Sequence, residues 1–263
     1  MSTEPADATA APHPIDRLLG VMRQLRNPVG GCEWDLAQNF ASIAPYTIEE
    51  AYELADAIAA GDAGHIREEL GDLLLQVVFH AQIAADEGLF DFDAVADTIS
   101  DKMIRRHPHI FGDGHNLPQR AAWEAIKAEE RQNKQAGNAS ALAGVALALP
   151  ALKRADKLQA RAARVGFDWP DVAGPVAKVQ EELAELAAAP DDAARFEEMG
   201  DLLFAAANIA RKLGIDPETA LAAANRKFET RFAAMEALAD GSIEGLDLEA
   251  QEALWQQVKV AGG

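Results

Sequence analysis

Residues 68–74 read EELGDLL, and residues 197–203 repeat this stretch as EEMGDLL. A second acidic motif stands upstream of each copy, EEAYE at 49–53 and EELAE at 181–185. A pattern that recurs along a chain is the signature of a duplicated structural unit. Like charges three or four residues apart on a helix also repel by about 0.2–0.5 kcal/mol per pair. The repeat therefore predicts two tandem units, each built around a cluster of carboxylates that needs a cation.

The chain is predicted to be all-α, as two tandem repeated helical-bundle domains. Apolar residues recur at helical spacing, whereas alternating β-branched runs and hairpin dipeptides are missing from the sequence. Asp216 followed by Pro217 is a typical helix start, and Gly61 is a typical helix end. The predicted helices are 16–26, 47–60, 66–81 and 91–106 in the first half, and 175–189, 193–213 and one from 217 in the second.

Composition divides the chain into four segments. Residues 1–14 are rich in Ala and Pro and are interpreted as a disordered tail. An N-terminal domain is predicted over 15–134 and a C-terminal domain over 151–263, joined by a weakly polar linker at 135–150.

Charge and cysteine content limit the possible partners. The formal net charge is −19 and the pI is about 4.6, which disfavours a nucleic-acid partner because phosphate backbones are held by clustered Lys and Arg. Cys32 is the single cysteine, and the N-terminus lacks signal-peptide blocks. The longest nearly apolar stretch, 139–152, is short of the ~18 residues that a spanning helix needs. These features predict a cytoplasmic protein with no membrane segment.

The acidic motif of the second half has the spacing of a metal site. Glu182 and Glu185 lie three apart on one predicted helix, and Glu198 and Asp201 lie three apart on the next. Two such helices packed antiparallel gather four carboxylates. An all-oxygen ligand set suits Mg²⁺, with Mn²⁺ as the alternative, better than softer metals. No Glu in the sequence has His three residues later, which disfavours a di-iron bundle.

Cations and an aromatic residue accompany the clusters. Lys227 and Arg231 lie four apart on the third helix of the second half, and such a pair beside a metal indicates a polyphosphate site. Trp255 is the best candidate to stack on a nucleobase, although a partly buried core role is the ordinary one. Each motif alone also has an ordinary structural interpretation that involves no metal or substrate. Thr47 with Glu50 fits a capping box, and His80 fits a core position.

These residues resemble the MazG family of nucleoside triphosphate pyrophosphohydrolases, within the all-α NTP pyrophosphatase superfamily. The resemblance covers nearly the whole chain after the tail. Besides the acidic motifs it rests on these stretches: GCEWD at 31–35, YTIEEAYE at 46–53, RHPHIFG at 106–112, RVGFDW at 164–169 and LWQQVK at 254–259. Glu33 departs from the family pattern, which usually has proline there.

The resemblance implies Mg²⁺-dependent hydrolysis of nucleoside triphosphates between the α and β phosphates, giving the monophosphate and pyrophosphate, and the removal of unwanted nucleotides. It also implies a homodimer whose helices complete four-helix-bundle-like cores. Carried over by motif, the metal ligands are Glu182, Glu185, Glu198 and Asp201 in the second half and Glu50, Glu53, Glu69 and Asp72 in the first. The implied substrate contacts are Lys178, Glu181, Lys227, Arg231 and Trp255.

The second half is predicted to hold the main catalytic site. Lys178 stands four residues before Glu182, whereas Tyr46 takes the equivalent place before Glu50. Three alternatives stay open at this point. They are a pyrophosphatase with a narrower deoxynucleotide substrate, a regulator that binds metal and nucleotide without turnover, and a helical scaffold.

Overall fold

The computed structural model describes residues 12–112, 140–239 and 241–262. All regular secondary structure in these ranges is helical, which confirms the all-α prediction. The chain separates into two compact units, Met1–Arg131 and Gln132–Gly263. Across the described ranges, no helix is both long enough and apolar enough to cross a membrane.

The first unit is organised around two long helices, α3 (Phe40–Ala60) and α4 (Ala63–Asp86), which pack against each other. Its core is formed by Met22, Ile43, Val78, Phe79 and Ile83, all of them buried. Burying each such side chain stabilises the fold by about 1.5–3 kcal/mol. The helices of this unit are α1 (Pro14–Leu25), α2 (Glu33–Ala37), α3 (Phe40–Ala60), α4 (Ala63–Asp86), α5 (Phe92–Arg106) and α6 (Pro108–Phe111).

The second unit repeats the central pair of helices. Here α8 (Ala173–Ala188) and α9 (Asp192–Lys212) pack together, and α9 also packs against α7 (Ala151–Arg164). The helices of this unit are α7 (Ala151–Arg164), α8 (Ala173–Ala188), α9 (Asp192–Lys212), α10 (Pro217–Leu238) and α11 (Leu248–Gly262). The two pairs, α3 with α4 and α8 with α9, carry the two copies of the acidic motifs.

Helix α3 begins seven residues earlier than the predicted start at Thr47. Asn39 is its N-cap and accepts from the backbone of Ala41 and Ser42, while the Ser42 side chain accepts from the Asn39 backbone. The capping-box interpretation of Thr47 with Glu50 is therefore wrong. Thr47 lies inside the helix, and its hydroxyl contacts the Ile43 carbonyl and His80. Pro45 is tolerated within α3 because this helix is held by packing as well as by its own hydrogen bonds.

Other predicted ends agree with the structure. Asp216 accepts from the Thr219 backbone N–H and Pro217 opens α10, so this start is confirmed. Gly61 ends α3 with φ of 76°, a left-handed conformation in which glycine has no Cβ penalty. Pro14, the last residue of the predicted tail, is the first residue of α1, a position that suits proline. Residues 1–11 and 135–139, in the predicted tail and linker, lie outside the described residues.

Glu33, the departure from the family pattern, occupies the first residue of α2. Proline is favoured at this position because its missing N–H has no partner there anyway. A carboxylate is also favourable in the first turn, since it interacts with the positive end of the helix dipole. The substitution is therefore compatible with the same local fold.

The loop before α8 is fixed to the end of α9 by one carboxylate. Asp168 pairs with Arg211 and Lys212, and the Asp168–Lys212 distance is 2.7 Å. Hydrogen bonding from Arg211 is the main cause that holds the pKa of Asp168 below its usual range. The carbonyl of Trp169 accepts from Lys212 as well. These contacts set where α8 starts and hence where its carboxylates lie.

Gly174→Ala is expected to destabilise the second unit by about 1–3 kcal/mol, the usual cost of overpacking. A Cβ at position 174 would overlap the Trp169 indole, whose backbone is held by Lys212. Chemical denaturation measures the change. Gly20→Ala in α1 is the matched control, because only the far end of Arg23 lies near and alanine favours a helix. Equal stability of the two variants would contradict the argument.

Candidate metal centres

The second unit brings together three of its four predicted metal ligands. Glu182 and Glu185 project from α8 and Glu198 from α9, with one carboxylate oxygen of each lying within 4.8 Å of the others. Spacing of three places the first two on one face, and the packing of α9 against α8 adds the third. Asp201 lies outside this triplet. Its charge is still close enough to contribute to the raised pKa of Glu198.

Burial of Glu182 distinguishes the triplet from an ordinary solvated acidic face, although Glu185 is exposed and Glu198 half-buried. Glu182 is only 2% exposed, and its Oε2 is buried without a hydrogen-bond partner among the described residues. Loss of solvation is the main cause that raises the pKa of Glu198, followed by the charges of Glu185 and Glu182. A buried carboxylate is costly unless it is paired or coordinates a metal. The oxygen-only donor set fits a hard divalent cation such as Mg²⁺.

Lys178 is the lysine that contacts this cluster. Its ammonium lies 2.6 Å from Glu182 Oε1 and 2.8 Å from Glu181 Oε1. Hydrogen bonds to Glu181 and then to Glu182 raise the pKa of Lys178, so the side chain stays charged. The predicted substrate contacts Lys178 and Glu181 therefore lie beside the carboxylates and contact each other.

The other predicted substrate contacts form a separate group on α10 and α11. The Arg231 guanidinium lies over the Trp255 ring, with its carbon 5.8 Å from the ring centre. Phe228 packs against the same ring at 5.7 Å, which leaves Trp255 half-buried. Lys227 is exposed one turn before Arg231. Within the described ranges, no ion pair joins Lys227 or Arg231 to the carboxylates of α8 and α9.

The first unit contains a corresponding triplet. Glu50 on α3 and Glu69 and Asp72 on α4 each offer a carboxylate oxygen within 4.8 Å of the others. Glu69 is 8% exposed, and its Oε2 is buried without a partner in the described ranges. Burial is the main cause of the raised pKa of Glu50, and the charges of Asp72 and Glu53 add to it. Glu53, like Asp201, lies outside its triplet.

Two residues near the first triplet were missed by the sequence analysis. His65 Nε2 lies 2.9 Å from Glu69 Oε1, and Gln76 Nε2 donates to Glu50 Oε1 at 3.4 Å. His65 stands four residues before Glu69 and Gln76 four residues after Asp72. Helical spacing of four could therefore have placed both on the acidic face.

The two centres differ at the residue that stands four positions before Glu50 in the first unit and before Glu182 in the second. Tyr46 stands before Glu50, is 43% exposed, and packs edge-on against Trp34 with ring centres 6.4 Å apart. The second centre has the charged Lys178 at the equivalent place. An otherwise repeated site thus has an aromatic neighbour in one unit and an ammonium in the other.

Comparison with known proteins matches each half of the chain to a family of nucleotide pyrophosphohydrolases. Residues 38–111 match the family model of the MazG nucleotide pyrophosphohydrolase domain, and residues 156–236 match that of dATP/dGTP pyrophosphohydrolase. The chain is 51% identical to a nucleoside triphosphate pyrophosphohydrolase of Escherichia coli K12 over 256 residues, which cover 93% of this chain and 97% of that protein. It is 46% identical to the nucleoside triphosphate pyrophosphohydrolase/pyrophosphatase MazG of Thermotoga maritima, over 93% of this chain and 95% of the relative.

A more distant relative is the nucleoside triphosphate pyrophosphohydrolase of Mycolicibacterium smegmatis, which is 38% identical over 164 residues, or 61% of this chain and 50% of that protein. Full-length similarity, a duplicated helical unit and a carboxylate triplet in each unit agree with one another. The chain belongs to the MazG family of nucleotide pyrophosphohydrolases.

Proposed function

We propose that this protein hydrolyses nucleoside triphosphates between the α and β phosphates, with Mg²⁺ as cofactor and the second unit as the main catalytic site. The observation that carries the proposal is the buried Glu182, which shares one cluster with Glu185, Glu198 and the ammonium of Lys178. The names of the full-length relatives support the same reaction.

The carboxylates of the second triplet are the residues that would hold the metal. When bound there, Mg²⁺ would supply positive charge that offsets the negative charge of the substrate phosphates and of the transition state. Mn²⁺, which takes a similar oxygen set, is the alternative. The Oε2 of Glu182 supports this assignment, because it is buried without a hydrogen-bond partner among the described residues while Lys178 contacts only Oε1.

The cations and the aromatic group would bind the rest of the nucleotide. Lys178 reaches the edge of the carboxylate cluster and is placed to neutralise a phosphate beside the metal. Lys227 and Arg231 supply further positive charge for the triphosphate, and the Trp255 ring offers a face for the base. Orientation of the triphosphate by these groups is the main contribution of the protein to such a reaction.

The second unit is favoured because it alone has a lysine in contact with its triplet among the described residues. Lys178 contacts Glu182, whereas Tyr46 occupies the equivalent place beside Glu50. The biological role that we propose is the removal of unwanted or non-standard nucleotides from the cytoplasmic pool.

We also propose a homodimer in which the α8–α9 pairs of two copies form a four-helix bundle. Leu183 on α8 and Met199 and Leu203, four residues apart on α9, are apolar yet 50%, 43% and 51% exposed within the chain. Gly200 lies inside α9, and a Cβ there would meet nothing within 4 Å. Glycine inside a helix costs about 0.5–1 kcal/mol relative to alanine, so a close approach from another molecule explains its presence.

Product analysis tests the reaction. Purified protein with Mg²⁺ is incubated with a panel of nucleoside triphosphates that includes dATP, dGTP and the ribonucleotides. We expect monophosphate plus pyrophosphate, and we expect EDTA to abolish their release. Diphosphate plus phosphate would assign a different bond, and tight nucleotide binding without turnover would instead support a regulatory protein.

A further inference from the structure

Lys178 lies at the edge of the second carboxylate cluster and contacts its most buried member. Its ammonium contacts Glu182 Oε1 at 2.6 Å, while the other oxygen of this residue is buried without a partner among the described residues. Glu182 is the most buried carboxylate of the triplet, at 2% exposure. A positive charge held at this distance stabilises the carboxylate and repels any divalent cation that enters beside it.

The first cluster lacks this feature. Its triplet takes Glu50 from α3 and Glu69 and Asp72 from α4, whereas the second cluster takes two residues from α8 and one from α9. Its buried oxygen without a partner among the described residues is on Glu69. Tyr46, which takes the place of the lysine, carries no positive charge at neutral pH. Both clusters therefore offer three carboxylates, but an ammonium contacts the second cluster, whereas the first is contacted by the His65 imidazole at Glu69.

Lys178 can reach a second anionic partner. Its side chain is 36% exposed, although its ammonium contacts a buried carboxylate, so the flexible stem connects the cluster to solvent. A triphosphate that binds at the cluster edge competes for the ammonium as a stronger acceptor. Movement of the ammonium to phosphate would release Glu182 Oε1 and remove the repulsion.

We propose that Lys178 gates the second metal centre, holding Glu182 until a triphosphate draws its ammonium away, so that this centre binds a divalent cation tightly only together with nucleotide. The first centre, which has Tyr46 instead, binds the cation independently of nucleotide. The role of nucleotide in this inference rests on the proposed function. The inhibitory effect of Lys178 on the binding of metal without nucleotide does not depend on the proposed function.

The test is a titration of the full-length chain with Mn²⁺ followed by electron paramagnetic resonance, without nucleotide. Glu69→Gln removes a ligand of the first centre, so the second centre dominates the signal. Adding Lys178→Gln in this background is expected to tighten Mn²⁺ binding by about 5–150-fold, the usual range of coupling between ligands. Unchanged or weaker binding would overturn the gate and leave Lys178 as a phosphate contact only.

A matched variant tests the same principle in the first unit. With the second centre disabled by Glu182→Gln, Tyr46→Lys places an ammonium four residues before Glu50, and we expect Mn²⁺ binding to weaken by a similar factor. Circular dichroism checks that each variant folds. If Lys178→Gln fails to fold, the Tyr46→Lys variant provides the test. Mn²⁺ binding by this variant that is as tight as in the chain with Tyr46 would overturn the proposal.

Nucleotide is added in a second titration. An α,β-methylene nucleoside triphosphate should tighten Mn²⁺ binding at the second centre more in the chain that keeps Lys178 than in the Lys178→Gln variant. An equal gain in both would overturn the coupling. Pyrophosphate release is measured separately, so a failure of the proposed reaction is distinguishable from a failure of the gate.

Discussion

Glu182→Gln is expected to lower kcat by at least about a hundredfold while the chain stays folded. Loss of residues that merely support metal ligands typically costs about 10–100-fold, so loss of a proposed ligand in the triplet should cost at least as much. The substitution keeps the shape of the side chain, and Lys178 keeps Glu181 and solvent as partners, so the fold should stay intact. Pyrophosphate release at saturating substrate measures the effect, and thermal unfolding checks the fold.

Glu50→Gln is the matched control in the first unit. It removes the corresponding carboxylate, and it also lies in a triplet with a buried, unpartnered oxygen. We expect this variant to keep much of the activity, because the first centre lacks a lysine at position 46. Reversed effects of the two substitutions would show that the main catalytic site is in the first unit.

Leu203→Glu is expected to convert the proposed homodimer to monomer at micromolar concentration. Leu203 is 51% exposed on α9, and a two-fold interface would bury it twice. An unpaired buried charge costs about 3–5 kcal/mol, and each 1.4 kcal/mol changes a dissociation constant tenfold. The dissociation constant should therefore rise by at least about a hundredfold, as measured by sedimentation equilibrium.

Val260→Glu in α11 is the control for this substitution. Val260 is 88% exposed and lies outside the α8–α9 pair, so the same chemical change should leave the mass in solution unaltered. A dimer that survives Leu203→Glu would place the interface elsewhere. Loss of the dimer in both variants would indicate a general effect of added negative charge on this acidic chain.

The helices of the acidic repeat were predictable because their signals are local. Apolar spacing identified the helices of the two pairs, α3 with α4 and α8 with α9, and Asp216 with Pro217 identified the start of α10. The start of α3 was missed because Pro45 obscures the pattern and the effective cap, Asn39, lies upstream of it. Helices α7 and α11 were not predicted. The residues of α7 are apolar on one side and polar on the other, so helical spacing could have identified this helix.

The candidate site was predictable in its chemistry but not in its arrangement. Spacing of three identified Glu182 with Glu185, since both lie on one helix. Asp201 has the same spacing from Glu198, yet it lies outside the triplet, because the crossing of α9 over α8 brings one residue of that pair closer. Such a difference depends on packing between helices that are distant in sequence.

The sequence by itself determined that this protein is an all-α tandem repeat with two acidic centres, because helical periodicity, residue spacing and charge can be read along the chain. Only the tertiary structure decided which carboxylates meet, that Glu182 is buried with one oxygen unpartnered among the described residues, and that Lys178 contacts it. Arg231 was likewise placed over Trp255 only by the packing of α10 with α11. Burial and distance depend on contacts between separate helices, which local sequence signals do not specify.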